Sequence, residues 1–293
     1  QGVSSAASDV YKRQVLFCTG SIGWWTPDAP ISFSLSQALY FEFESLVNYQ
    51  TRKSYKPQLT KYNLQNIKKS KKFLFIGTKD YPNRKYLLSQ IIHNNLLDQG
   101  YVSYKQIISN NLNSNSYSTD EINEIESVAN SIDHLLPLPV LDDTIEYLFM
   151  PEIFLFDSYV NMITDTFFDT PTNILFLSEK VFNAIAYGQI FIMMAPAYSL
   201  KFLKSQGYQT FSPWVDESYD NIENNYLRIK AVTEAFINFI SQPIEVIEKI
   251  YIECLPIIQH NHNLLLNSKF TTTLENDIRL AISKKLDNLS TPL

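Results

Sequence analysis

Only seven of the 293 residues are glycine, and they nowhere gather into the Gly-rich strand-to-helix turn with which a P-loop wraps backbone amides around a phosphate. That absence argues against a P-loop phosphotransferase. Cysteine is scarcer still: Cys18 and Cys254 are the two in the chain, far apart and without metal-ligand spacing. A disulfide framework and a zinc site are therefore both unexpected, and a reducing compartment fits. No apolar run approaches the roughly 20 residues that span a bilayer, and a strongly apolar stretch, Ile190 to Ala197, falls far short. Basic residues are also in deficit, 24 Lys and Arg against 30 Asp and Glu, for a net charge of -6. With no basic stripe, a general nucleic-acid binder is not expected.

A hydrophobic content of 45% is enough for a real core, and the length suits one large or two modest domains. Residues 1–14, QGVSSAASDVYKRQ, have no starting Met, no periodicity and no apolar signal core. They resemble translated adapter sequence of the kind seen at the ends of metagenomic reading frames, and are set apart from the fold. On that reading the natural chain begins upstream. Residues 15–70 then read as the remnant of an amino-terminal domain plus a linker: a strand-like VLFCTG, a Trp-Pro loop, and a polar, basic stretch from Thr51 to Lys72. The lysines at 68, 69, 71 and 72 either face a phosphate or form a solvated run.

From residue 71 to 293 the pattern changes to strands alternating with helices. Phe73 to Gly77 is a short, continuous apolar run, as in a strand buried on both faces. Leu87, Leu88, Ile91, Ile92 and Leu96 recur at helical spacing over Arg84 to Leu97, with Gly100 as the expected stop before a strand at Tyr101 to Tyr104. Ser118 with Glu121 is a capping box ahead of a helix ending near His134, and Pro137 and Pro139 break the chain after it. Further strands are expected at Tyr159 to Thr164, Ile190 to Met194 and Tyr208 to Phe211, with helices from Ser178 and from Tyr198 to Ser205. Beyond Tyr226 the pattern is helical, with Pro243 opening a second helix and Thr271 to Thr273 preceding a third. The expected fold is α/β: a Rossmann-like parallel sheet with helices on both faces, wrapped by carboxy-terminal helices.

Open α/β sheets bind ligands beyond the carboxyl ends of their strands, which singles out three places. Gly77 to Arg84 brings a guanidinium into the first turn of a helix. There it either clamps a phosphate or lies exposed on a surface loop. Thr164-Asp165-Thr166 ends a buried strand, so the Asp165 carboxylate either accepts hydrogen bonds from sugar hydroxyls or caps a turn. Ser178-Glu179-Lys180 starts a helix, Ser178 as its cap. A carboxylate suits the vicinal hydroxyls of a ribose and an ammonium the attached diphosphate, the alternative being a solvated helix start. Asp142-Asp143 and the acids around Asp165 form no clean metal motif.

The ordered series KFLFIGTKDYPNRKYLLSQ, LLDQGYVSY, TDT, SEKVFNAIAYGQIFI, LKSQGYQTF and DESYD resembles the donor-binding half of two-domain (GT-B) glycosyltransferases. The nearest likeness is to bacterial and phage proteins distantly similar to α1,3-fucosyltransferases. It covers roughly half the chain. The resemblance implies a nucleotide-sugar site in which Glu179 and Lys180 hold ribose and phosphate and Arg84 assists at the diphosphate. Asp165 would lie near the donor sugar, with Thr166, Ser178 and Asn183 beside them. The chain departs from that pattern at Asn83, where a His is usual, at Asp165 in place of Glu, and at Asn183-Ala184 in place of Lys-Pro. DESYD, Asp216 to Asp220, is read as closing the fold, and His260 in Gln259-His260-Asn261 as structural.

The implied activity is transfer of a sugar from a GDP- or UDP-linked donor to an acceptor hydroxyl, with no cofactor and no obligatory metal, since cationic side chains and helix dipoles can stabilise a departing diphosphate. No catalytic base is assigned, because that group would come from the acceptor domain. A cytoplasmic location, free or peripheral to the inner membrane face, is the matching expectation. The rival expectation is an inactive nucleotide-binding or interaction module of the same fold.

Overall fold

The structure is a computed structural model, and it describes residues 68–77, 81–104, 116–136, 138, 152–165, 168–169 and 177–266. The expectations for residues 1–67, Pro137, Pro139, Asp142-Asp143, Thr166 and the helix after Thr271 lie outside those residues.

Four strands form one parallel sheet in the order β2-β1-β3-β4: β1 (Lys71–Gly77), β2 (Gly100–Tyr104), β3 (Ser158–Thr164) and β4 (Ile190–Met194). The protein is thus an α/β, Rossmann-like fold. Between the strands run α1 (Pro82–His93), α2 (Thr119–Asn130), the short α3 (Glu152–Phe156) and α4 (Glu179–Ala186). After β4 come α5 (Ser199–Ser205), α6 (Asn225–Ile240) and α7 (Ile244–Leu266).

Both faces of the sheet are covered, which explains the continuous apolar runs. Phe73 pairs in register with Val160, so Tyr159, one residue earlier in β3, points to the other face from Phe73. Phe73 meets Phe236 of α6 edge-on at 5.4 Å, and Tyr159 meets Tyr251 of α7 at 5.3 Å. Helix α1 packs with α2 and α6, and α4 packs with α7. Two helical layers therefore sandwich the sheet. The one amide inside β3, Asn161, donates to Gln189 Oε1 at 2.9 Å, and Gln189 Nε2 donates to Ser158 Oγ at 2.7 Å.

The connections set where a ligand can lie. From β1 the chain crosses through α1 to β2 on one side, while from β3 it crosses through α4 to β4 on the other. The direction of winding reverses between β1 and β3, and such a switch point opens a crevice at the carboxyl ends of the two strands.

Four expectations are corrected. Helix α1 does not run on to Gly100: Asn95 takes a left-handed φ of 55°, and Leu96 N donates to Ile91 O at 3.0 Å while Asn95 N donates to Ile92 O at 2.9 Å. Asn tolerates that conformation better than other non-Gly residues, so it ends the helix, and Gly100 is the extended first residue of β2. Tyr208 to Phe211 is not a strand. Side chains satisfy its backbone instead: Gln209 N donates to Asn261 Oδ1 and Asn261 Nδ2 donates to Gln209 O, at 2.7 and 2.8 Å, while Phe211 N donates to Glu217 Oε1 at 2.7 Å. The linker stops short of Lys72, because β1 already begins at Lys71. Nor do the adjoining lysines form one solvated run, although Lys68 is exposed. Lys69 and Lys72 are buried, and Lys69, Lys71 and Lys72 each donate through Nζ to a main-chain carbonyl, of Phe156, Asp98 and Ile240. Burial pushes the Lys69 ammonium down to about 8.

Other expectations agree with the structure. Ser118 and Glu121 form the reciprocal capping box, Ser178 caps α4, and Pro243 O accepts from Val246 N and Ile247 N at the start of α7. Among the described residues no helix is long and apolar enough to cross a membrane.

Candidate functional site

Arg84 is the third residue of α1, which starts on Pro82 and has no side-chain cap at Tyr81. Its guanidinium turns inward. Nη2 donates to the carbonyl of Thr164, the last residue of β3, at 3.0 Å, and the group lies 4.8 Å from the centre of the Tyr81 ring. Only 2% of the residue is exposed, so the alternative of an Arg on an exposed loop is corrected: the side chain ties the first turn of α1 across the switch point to β3. Its Nε is buried without a hydrogen-bond partner among the described residues, and so is Oγ1 of Thr164.

Asp165 follows directly. Its amide donates to Met194 O at 3.0 Å, which carries the β3–β4 pairing one residue further. The carboxylate, 1% exposed, accepts a hydrogen bond at Oδ1 from Ser178 Oγ. Its other oxygen, Oδ2, has no partner among the described residues. Burial pushes its pKa up to about 6, although Lys180, the Ser178 hydroxyl and Arg84 pull the other way.

Ser178 has the extended backbone of a helix cap, and its Oγ accepts from Lys180 N at 3.4 Å. Glu179 and Lys180 then form the first turn of α4, with Lys180 Nζ 3.2 Å from Glu179 Oε1. Each of those two side chains is 14% exposed, so the alternative of a solvated helix start does not describe them. Asn183, buried, sits one turn on from Glu179 along the same face of α4. The structure therefore brings Arg84, Asp165, Ser178, Glu179 and Lys180 together at the carboxyl ends of β1 and β3, and the charges of Arg84, Glu179 and Lys180 all act on Asp165.

Two other motifs are structural. Asp220 caps α5, accepting from Leu200 N and Lys201 N at 2.8 and 2.9 Å, and Glu217 also accepts from Thr210 Oγ1 at 2.7 Å. His260 lies 2.9 Å from Gly207 O, next to the Asn261 contacts that hold Gln209. Sequence reasoning missed Arg228. Fully buried, it donates to the carbonyls of Ala195, Ile222, Glu223 and Phe168 at 2.7 to 3.1 Å, fastening the segments after β3 and β4. Its signal was present: Arg228 falls on the α6 face that also holds Asn225, Val232 and Phe236, where a charged residue demands partners.

Among the described residues no group of three or more His, Cys, Asp or Glu is placed to hold a metal ion. Comparison with known proteins adds no relative: no family model matches the chain, and neither a curated protein nor a solved structure matches it.

Proposed function

We propose that this crevice binds a nucleotide sugar and that the protein is a metal-independent glycosyltransferase of the GT-B type, acting on a GDP- or UDP-linked donor and an acceptor hydroxyl. The observation that carries the reading is the convergence of Arg84, Asp165 and the Ser178-Glu179-Lys180 turn at the sheet's switch point, where α/β folds hold their ligands. Glu179, whose Oε1 now accepts from Lys180 Nζ, would turn its carboxylate to the paired hydroxyls of a ribose. Lys180 and the amino terminus of α4 offer positive charge to the diphosphate, and so favour its departure when the sugar is transferred. No residue is assigned as the base that deprotonates the acceptor. A cytoplasmic location, where nucleotide sugars are used, goes with the same reading.

Calorimetric titration of the full chain with GDP and UDP tests it. One nucleotide should bind, and Glu179→Ala and Lys180→Ala should each weaken it by about 10- to 100-fold, the size expected for losing a charge-assisted hydrogen bond. Release of sugar from the matching donor marks an enzyme. Tight binding without turnover marks a nucleotide-binding module, and no binding of either nucleotide ends the proposal.

A further inference from the structure

We infer that Asp165 is a positioning residue: acting through the Ser178 hydroxyl, it fixes the first turn of α4 and hence the direction in which Glu179 and Lys180 point. The functional consequence rests on the nucleotide-sugar reading above; the positioning itself does not.

A serine hydroxyl has one proton and can rotate to suit its surroundings. Here Ser178 Oγ gives that proton to Asp165 Oδ1 and receives the Lys180 amide. The second contact, at 3.4 Å, is longer than the usual range for such bonds, so the cap alone holds the turn weakly. The first contact is anchored. Asp165 is locked to β4 by its own amide, and both it and Ser178 are 1% exposed. An ionised carboxylate only accepts, which leaves the Ser178 proton one direction and turns a lone pair to the helix amide. The rigid sheet edge thereby reaches the helix through one carboxylate and one hydroxyl. The charged groups around Asp165 are Arg84 from α1 and Glu179 and Lys180 from α4. His262 of α7 lies at the opposite end of α4, where it bonds to Ile185 and Ala186.

Hydrogen exchange of the full-length chain, resolved by peptide, tests the relay without any ligand. Asp165→Ala and Ser178→Ala should each speed exchange over residues 179–183 by about fivefold, the size of a lost helix cap, and the double variant should be no faster than either single one. Exchange over residues 232–239 of α6 should hardly move. Unchanged exchange over 179–183 in Asp165→Ala, or effects that multiply in the double variant, would overturn the inference. Should Asp165→Ala fail to fold, the wild type carries the test by itself. Between pH 7.5 and 5.0 its intrinsic-rate-corrected exchange over 179–183, through local openings that break the Ser178 bond and leave Asp165 buried, should rise by about twofold or more as the carboxylate gains a proton and its hydrogen bond loses charge assistance. The same series in Ser178→Ala should be flat, which separates Asp165 from His262; a flat wild-type series sinks the idea.

Nucleotide titration then separates the two readings. Asp165→Ala should weaken GDP or UDP binding in the Ser178 background and have little further effect in Ser178→Ala, whereas an Asp165 that touches the ligand keeps its full penalty in both. If neither nucleotide binds while exchange responds as described, the positioning role stands and the nucleotide-sugar reading falls.

Discussion

Arg84 and Thr164 are joined across the switch point by a single hydrogen bond, Nη2 to carbonyl oxygen at 3.0 Å, with both residues buried. The bond couples the first turn of α1 to the last residue of β3, so it bears on fold and site together. Removing the guanidinium would leave the Thr164 carbonyl buried without that donor and open a void beneath Tyr81. Arg84→Ala should therefore destabilise the protein by about 2–4 kcal/mol, read as a lower midpoint in urea. Arg84→Lys keeps the charge but has no planar fork to reach the carbonyl while stacking on Tyr81, and should recover less than half of the loss.

The Asp165 carboxyl, raised to about 6 by burial, makes stability depend on pH in a defined direction. Its folded pKa exceeds the unfolded value, near 3.9, so the folded state binds more protons in the window between them. Stability should rise as pH falls from about 6 towards 4, and the penalty of keeping the carboxylate charged and buried is fully present above 6. Asp165→Asn removes that penalty. It should be more stable than wild type at pH 7.5 by on the order of 1–3 kcal/mol, with the gap closing towards pH 4, in thermal unfolding followed across that range.

What could be read before the structure was the part written in short-range chemistry. Phe73-Leu74-Phe75 and Ile190 to Met194 announce buried strands because each is apolar on both faces, and Ser118, Ser178 and Pro243 announce helix starts because their chemistry acts within a few residues. What could not be read depends on distant partners. Tyr208 to Phe211 has the look of a strand, yet its backbone is held by Asn261, 52 residues on from Gln209. The burial of Arg84 depends on a carbonyl 80 residues away, and that of Lys72 on one 168 residues away. Periodicity shows which face of a segment is apolar; it does not show which polar groups tertiary structure will pair.

Asn261 stands in for a neighbouring strand, matching both the donor and the acceptor of Gln209 at 2.7 and 2.8 Å. Asn261→Ala leaves both groups without those bonds and should cost about 1–3 kcal/mol, seen as a lower thermal midpoint. Asn261 bonds to Gln209 and not to Arg84, Asp165, Ser178, Glu179 or Lys180, so nucleotide affinity should stay within about twofold, below the roughly 1.4 kcal/mol that a tenfold change requires. Faster exchange confined to residues 207–212 would locate the damage where the two bonds were.

Gly100 opens β2 opposite Phe73, its partner in register. A Cβ added there would lie 2.4 to 2.6 Å from three atoms of the Phe73 ring, and that ring has nowhere to go. It is fully buried and set edge-on against Phe236 at 5.4 Å. The requirement is for space rather than an unusual backbone, since Gly100 is in an ordinary extended conformation. Gly100→Ala should then destabilise by about 1–3 kcal/mol through overpacking, measured by urea denaturation. Combining it with Phe73→Leu tests the cause: the double variant should be more stable than the sum of the two single losses predicts, because the smaller side chain vacates the space that the new methyl needs. Simple additivity would show that the ring is not what excludes a side chain at this position.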